Sequence, residues 1–356
     1  MPCLGTEAPV WAPWLISSRD FAWNHAPAEP LGRVEYSASS LDRVIEGFEQ
    51  MRFVAVINRD GGTMRTIDLD DFCTRMRDTL EASGHSLEID LVAGKGLIPA
   101  LKEAGKKKAE AVLVGGGDGT VSAAAGILMN SDKALAVLPA GTMNLFARSL
   151  GIPLSLDDAV LALAAAPVRQ VDIASANGRP FVHQFSIGMH AKLIDLRSKM
   201  EFASRLGKIG ASARAAFATI RNPPALDVSL LMGETEIMAR TTAIGITNNL
   251  FGEGHLPYAD RPDGGVLGIY VTVARARSEV LSFVLNMARG RWRDNQQVEI
   301  HQSQEVMVKM RSRRRSLKAA IDGELCELSP ETHIKIHPGA LRVIAPAASS
   351  VVAKAA

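Results

Sequence analysis

The chain has 356 residues, 47% of them hydrophobic and 22% charged. These are ordinary globular proportions that exclude a disordered chain, a collagen and a coiled-coil rod, and at ~150 residues per domain they allow about two domains. Net charge is +2 overall, but residues 1–150 carry 15 basic and 19 acidic groups and the remainder 25 and 19, so the second half suits an anionic partner such as a lipid surface or a phosphate.

Residues 1–48 hold Trp11, Trp14 and Trp23 among Pro and Ala without a period and read as an N-terminal extension; they lack the basic start and apolar core of a signal peptide. From Arg52 the pattern changes. FVAVIN (53–58) reads as an apolar strand, and residues 67–84 set Leu69, Phe72, Met76 and Leu80 at helical spacing before Gly84. A strand at 87–93, a Lys-rich helix at 97–108, a strand at 109–117, a small-residue helix at 121–130, a strand at 134–142 and a helix ending near Ala166 continue the alternation. This order predicts an α/β domain at 49–167, a parallel sheet faced by helices.

Short strands dominate afterwards, at 169–188, 226–232, 241–248, 265–274, 297–310 and 332–338, divided by turn pairs such as Asn177-Gly178 and Gly264-Gly265. Helices are expected at 190–221 and 278–290. The result is a β-rich, antiparallel sandwich-like second domain at 168–338, with the strand at 339–347 returning to the first domain and a tail at 348–356. The longest apolar stretch, ten residues at 159–168, contains Pro167 and is about half of the ~20 residues that span a bilayer, so any membrane contact is expected to be peripheral. Cys3, Cys73 and Cys326 form no CxxC pair and no zinc spacing, which fits a reducing cytosol.

The strongest motif is Gly115-Gly116-Gly117-Asp118-Gly119-Thr120, between a buried-looking strand and a helix. Glycines let successive backbone N–H groups approach one anion, and the helix N-terminus adds partial positive charge, so the turn suits a polyphosphate. Asp118 would reach a phosphate-bound Mg²⁺, and Thr120 would donate its hydroxyl or cap the helix. The plain alternative is a tight strand-to-helix turn, for which four glycines are more than needed. A second turn, PAGTMNLFAR (139–148), follows the next strand at the same carboxyl edge, where open α/β sheets bind ligands.

GGGDGT followed by PAGTMNLFARSLGIP resembles the catalytic domain of the diacylglycerol kinase family, which includes soluble bacterial lipid kinases and relatives that phosphorylate sphingosine and ceramide. INRDGG (57–62), VDIASANGRPFVHQFSIGMHAKL (171–193), PYADRPDGGVL (257–267) and AIDGE (320–324) resemble further family segments in order, so the likeness covers about 52–346. The resemblance implies ATP-dependent phosphorylation of a lipid hydroxyl in a cleft between an α/β domain and a β-rich domain. By position it implies ATP binding by Asn58, Gly116, Gly117, Asp118, Gly119, Thr120, Gly141, Thr142 and Asn144, Mg²⁺ held through Asp118, and catalysis by Asp118 with Glu324 as general base. A carboxylate after a glycine turn suits that role, because phosphoryl transfer needs mainly positioning and charge stabilisation; the plain alternative for Asp322-Gly323-Glu324 is a hairpin turn with an exposed acid.

The chain departs from the pattern in several places. Arg59 replaces the family's proline, Leu145 an acid of the second glycine motif, and Gly264 one of two paired acids; Lys192 stands where sphingosine and ceramide kinases place a base.

Basic residues from Lys192 to Arg221, at Arg289, Arg291 and Arg293, and from Arg311 to Lys318 suit an anionic membrane surface, or simply a solvated one. The expected partners are a membrane lipid substrate and that anionic surface at the inner face of the membrane; a homodimer is compatible with them. Nucleic acid is not expected, since no aromatic-rich RNA motif or reading helix is present. His333 and His337 alternate as strand residues without a third ligand, and nothing ranks His183 or His190 above structural positions. Two further readings remain: a nucleotide-responsive lipid-binding protein with little turnover, and a small-metabolite kinase related to NAD kinase, whose nicotinamide motif is not found.

Overall fold

The computed structural model describes residues 50–198, 223–252, 256–274, 297–311 and 317–347, with isolated positions at 221, 278, 279, 282 and 286. The N-terminal extension, most of the helices expected at 190–221 and 278–290, and the run Arg313 to Arg315 lie outside the described residues.

Strands β1 (Arg52–Asn58), β2 (Ser86–Val92), β3 (Ala111–Gly116) and β4 (Ala134–Pro139) pair in parallel in the order β2-β1-β3-β4. β3 and β4 are buried along their whole length, which is why both read as continuous apolar runs. Helix α1 (Leu69–Ala82) begins where the Asp68 carboxylate accepts the Asp70 and Asp71 N–H groups, and it buries Phe72, Met76 and Leu80 before Gly84 turns the chain at φ +82°. Helices α2 (Leu97–Lys106), α3 (Asp118–Leu128), α4 (Leu145–Ser149) and α5 (Leu156–Ala164) complete this lobe.

The second lobe contains β5 (Val168–Ala176), β6 (Arg179–Phe181), β7 (Gln184–Gly188), α6 (Met189–Ser198), β8 (Leu226–Met232), β9 (Thr235–Thr241), β10 (Ala243–Asn248), β11 (Leu267–Thr272), β12 (Val298–Ser303), β13 (Glu305–Met310), β14 (Lys318–Ile321), β15 (Glu324–Glu327) and β16 (Glu331–Ile344). An antiparallel sheet ordered β12-β11-β10-β7-β14-β15 packs over β5, β8, β13 and β16. Phe185, Ile187, Ile246, Ile269, Val308 and Ile334 fill the space between them. β9 has no counterpart among the expected strands, because only its alternate positions meet the sandwich.

Residues 332–338 and 339–347, read as two strands, contribute to the single strand β16. It pairs antiparallel with β5 along both halves, and its C-terminal end pairs in parallel with β4 at Arg342↔Ala134. Between His337 and Leu341 the register slips around Gly339, which is at φ +63°. Ile334 and Ile336 thereby enter the sandwich core, while Leu341 and Val343 enter the α/β core. β5 divides in the same way, giving Val171 and Ile173 to one core and Ala174 and Ala176 to the other. One ten-stranded sheet therefore runs through both lobes.

Candidate active site

The two glycine turns stand side by side at the carboxyl ends of β3 and β4. Gly117 is extended and opens α3, and its carbonyl accepts the Thr120 and Val121 N–H groups at 2.9 and 3.1 Å. Side chains are missing where the backbone is most crowded: a Cβ on Gly116 would lie 2.6 Å from the Thr120 side chain, and one on Gly141 would lie 2.7 Å from the Gly117 Cα.

Asp118 fastens one turn to the other. Its Oδ2 accepts the Asn144 N–H at 3.1 Å and its Oδ1 accepts the Leu145 N–H at 2.7 Å, so the acid at the start of α3 also caps α4. Asn144 sits at φ +52°, accepts the Gly141 N–H on Oδ1 at 2.8 Å and donates Nδ2–H to the Pro139 and Gly141 carbonyls. Its side chain therefore shapes the second turn from within. Thr142 lies exposed at the tip of that turn, and Thr120 is buried beneath the first.

The loop after β1 joins the same edge through the Thr63 N–H, which donates to the Ala140 carbonyl at 3.2 Å. Within it, the Asn58 Oδ1 accepts the Asp60 N–H at 3.0 Å, a local turn that fixes the loop.

Glu324 reaches this edge from the other lobe. Its Oε1 lies 3.5 Å from the position of a Cβ on Gly119, in the first turn of α3, and its Oε2 accepts from Arg179 Nη2 at 2.6 Å. The preceding hairpin turn places Asp322 at φ +44° and Gly323 at φ +83°, the left-handed pair a two-residue connection demands.

Asp322 is a site residue that sequence reasoning missed. Its Oδ1 accepts the His183 and Gln184 N–H groups at 3.0 and 2.8 Å; its Oδ2 accepts the Val182 N–H at 2.9 Å and the Ser122 hydroxyl of α3 at 2.6 Å. Burial pushes this carboxyl up and those four donors oppose the shift. The sequence placed this acid in AIDGE, a segment that resembles a family motif, and before a glycine in a predicted turn, but gave the role to Glu324.

His183 lies in the same neighbourhood. Its ring stacks on Phe251 at 5.2 Å, which stacks on Tyr270 at 5.3 Å. Burial lowers its pKa to about 4, with the Asp118 charge pulling upward and His190 downward. His333 pairs with Glu305, and the His337 Nε2 meets the Ser175 hydroxyl at 2.9 Å. Among the described residues no three His, Cys, Asp or Glu side chains gather to hold a metal, and no helix is long and apolar enough to cross a membrane.

Residues 52–176 match the diacylglycerol kinase catalytic domain, and residues 184–345 match the YegS C-terminal NAD kinase beta sandwich-like domain. The chain belongs to the diacylglycerol kinase catalytic-domain family. The junction of the two matches falls beside the Asp322 network. A Synechocystis sp. protein that carries no functional name is 26% identical over 82% of this chain and 68% of its own length. An Enterobacter sp. protein named "Probable lipid kinase YegS-like" is 33% identical over 31% of this chain and 38% of its own, and a Pseudomonas aeruginosa protein of the same name is 39% identical over 23% and 28%. The alignments to these two family members thus span well under half of each.

A solved Bacillus anthracis str. Sterne structure described as a diacylglycerol kinase superposes with a TM-score of 0.63 at 18% identity, covering 85% of this chain and 99% of that one. A second chain from that organism gives 0.69 at 23% identity, covering 85% and 98%. At these identities the likeness establishes the fold, an α/β domain of mostly parallel strands with an antiparallel β-sandwich-like domain.

Proposed function

We propose that this member of the diacylglycerol kinase family is an ATP-dependent lipid kinase that transfers the γ-phosphate to the hydroxyl of a membrane lipid. A diacylglycerol-like acceptor is the default, and a ceramide or sphingoid lipid comes next. The observation that carries the reading is Glu324: a carboxylate from the second lobe stands against the first turn of α3, where the glycine turns meet. The absent Cβ atoms at Gly116 and Gly141 let the two turns pack against each other, and Gly117 and Gly119 bring bare backbone to a helix N-terminus, which suits a triphosphate.

ATP supplies the phosphoryl group when bound, and Mg²⁺ neutralises its charge. A single carboxylate fits a magnesium ion that most of its ligands reach as phosphate and water, since each Asp118 oxygen accepts only one N–H and keeps a lone-pair direction. Gly117, Gly119, Gly141 and Thr142 would line the phosphates. Glu324, held by Arg179, orients the acceptor hydroxyl and takes its proton as the oxygen bonds to phosphorus. The basic second half supports a peripheral, cytoplasmic attachment to an anionic membrane face.

Incubation with labelled ATP, Mg²⁺ and mixed-lipid vesicles is expected to give labelled lipid, and Glu324→Gln to lower the rate strongly while ATP still binds. Normal turnover by that variant would refute the base assignment. A lipid-binding protein with little turnover is the second reading, favoured by Leu145: where the family has an acid, only a backbone N–H meets Asp118. It predicts vesicle binding without labelled lipid.

A further inference from the structure

We propose that His190 is a specificity-determining residue that donates its Nε2–H to a carbonyl oxygen of the acceptor lipid, so that the enzyme selects a neutral head with an ester or amide carbonyl beside its free hydroxyl. The inference rests on the lipid-kinase reading above.

The geometry fixes the donor. Two side chains converge on the His190 Nδ1: the Ser186 Oγ at 2.7 Å and the Gln184 Nε2 at 3.3 Å. An amide nitrogen only donates, so Nδ1 is the acceptor, the Ser186 hydroxyl donates as well, and the ring proton resides on Nε2. Ser186 is buried on β7, which makes this a built arrangement rather than a surface encounter. Among the described residues, the hydrogen bonds of the ring all fall on Nδ1 and none on Nε2. Burial also lowers the His190 pKa, so the ring remains a neutral donor near neutral pH.

Position connects this donor to the reacting centre. Gln184, one of the two groups that set the tautomer, donates its backbone N–H to the carboxylate of Asp322, two residues before Glu324, and accepts the Asp322 N–H on its own carbonyl. His183 lies in electrostatic reach of both Asp118 and His190 and is braced by Phe251 and Tyr270. A polar row therefore leads from the glycine turns through His183 to His190. An N–H at its end matches a carbonyl oxygen. It opposes the ammonium of a free sphingoid base, which brings only donors.

The test compares dioctanoylglycerol with its dioctyl ether analogue, which keeps the hydroxyl and chains but lacks the carbonyls. Binding to the full chain is measured by calorimetry, with phosphorylation followed in parallel. The wild type is expected to prefer the ester by about tenfold, His190→Leu to bind both alike, and His190→Gln, whose amide N–H replaces the imidazole N–H, to recover most of the preference. Nucleotide affinity is expected to be equal in all three. Should His190→Leu lose nucleotide binding, Ser186→Ala serves instead, since freeing the tautomer lowers the preference while leaving the ring. Equal wild-type binding of ester and ether, or an unchanged preference in the variants, overturns the proposal. An ester preference in binding without phosphorylation of either lipid supports the recognition and refutes the kinase.

Discussion

Asp322→Ala is expected to destabilise the protein by about 3–5 kcal/mol, the scale of breaking a buried, fully bonded charge network. Three backbone donors, at Val182, His183 and Gln184, lose their acceptor together with the Ser122 hydroxyl. Each buried N–H left unsatisfied costs about 1–3 kcal/mol, with relaxation and water recovering part of the sum. Alanine also adopts the left-handed backbone of position 322 less readily than Asp or Asn. Asp322→Asn keeps that backbone preference and one acceptor oxygen, so it is expected to cost less, about 1–3 kcal/mol. Urea unfolding followed by far-ultraviolet circular dichroism reads both values, given two-state transitions of equal slope. Because Asp322 also locates Glu324, the asparagine variant is expected to lower kcat more than it changes ATP affinity. An alanine variant within about 0.5 kcal/mol of the wild type would refute the reasoning, since that is the range of ordinary surface changes.

Gly141→Ala is expected to abolish nucleotide binding, because the new methyl would meet the Gly117 Cα at 2.7 Å and the Asn144 Oδ1 at 2.9 Å, and both are fixed; unchanged affinity in calorimetry would contradict that packing. His183 has a folded pKa of about 4 against an ordinary value of 6.5, so between these values only the unfolded chain takes up the proton. Stability is therefore expected to fall as pH drops from 6.5 toward 4, by up to about 3 kcal/mol, with no such contribution above that window. His183→Gln is expected to flatten that limb, and an identical acid dependence in the two proteins counts against it. Arg179→Leu removes a solvent-exposed partner of Glu324 and is expected to change stability by less than about 1 kcal/mol while lowering kcat, measured by unfolding and by lipid phosphorylation.

The alternation of strands and helices in the first lobe was legible because apolar runs such as AVLV and ALAVL occur only where both faces of a strand are covered. The glycine turns were legible for a related reason: few other settings need so many missing side chains in six residues. Asp322 was not, since its partners are 138 to 200 residues away and its neighbours suggest an exposed turn. Asn144 showed as a candidate ligand, but its positive φ, which sequence does not display, turns the amide inward. The expected boundary at 338/339 is not a break, since the chain absorbs Pro338 and Gly339 in a register slip and continues. The polar row at Gln184, Ser186 and His190 was hidden because a helix must fold back on its own preceding strand before the three side chains meet.

The backbone shared by the two cores bears on how substrates enter. Swinging the lobes apart like jaws would strain the β5–β16 pairing, whose hydrogen bonds run through both cores. Access for a nucleotide is thus expected to depend on small movements of connecting loops, and the spacing between Glu324 and the glycine turns is set when the chain folds rather than when a ligand arrives.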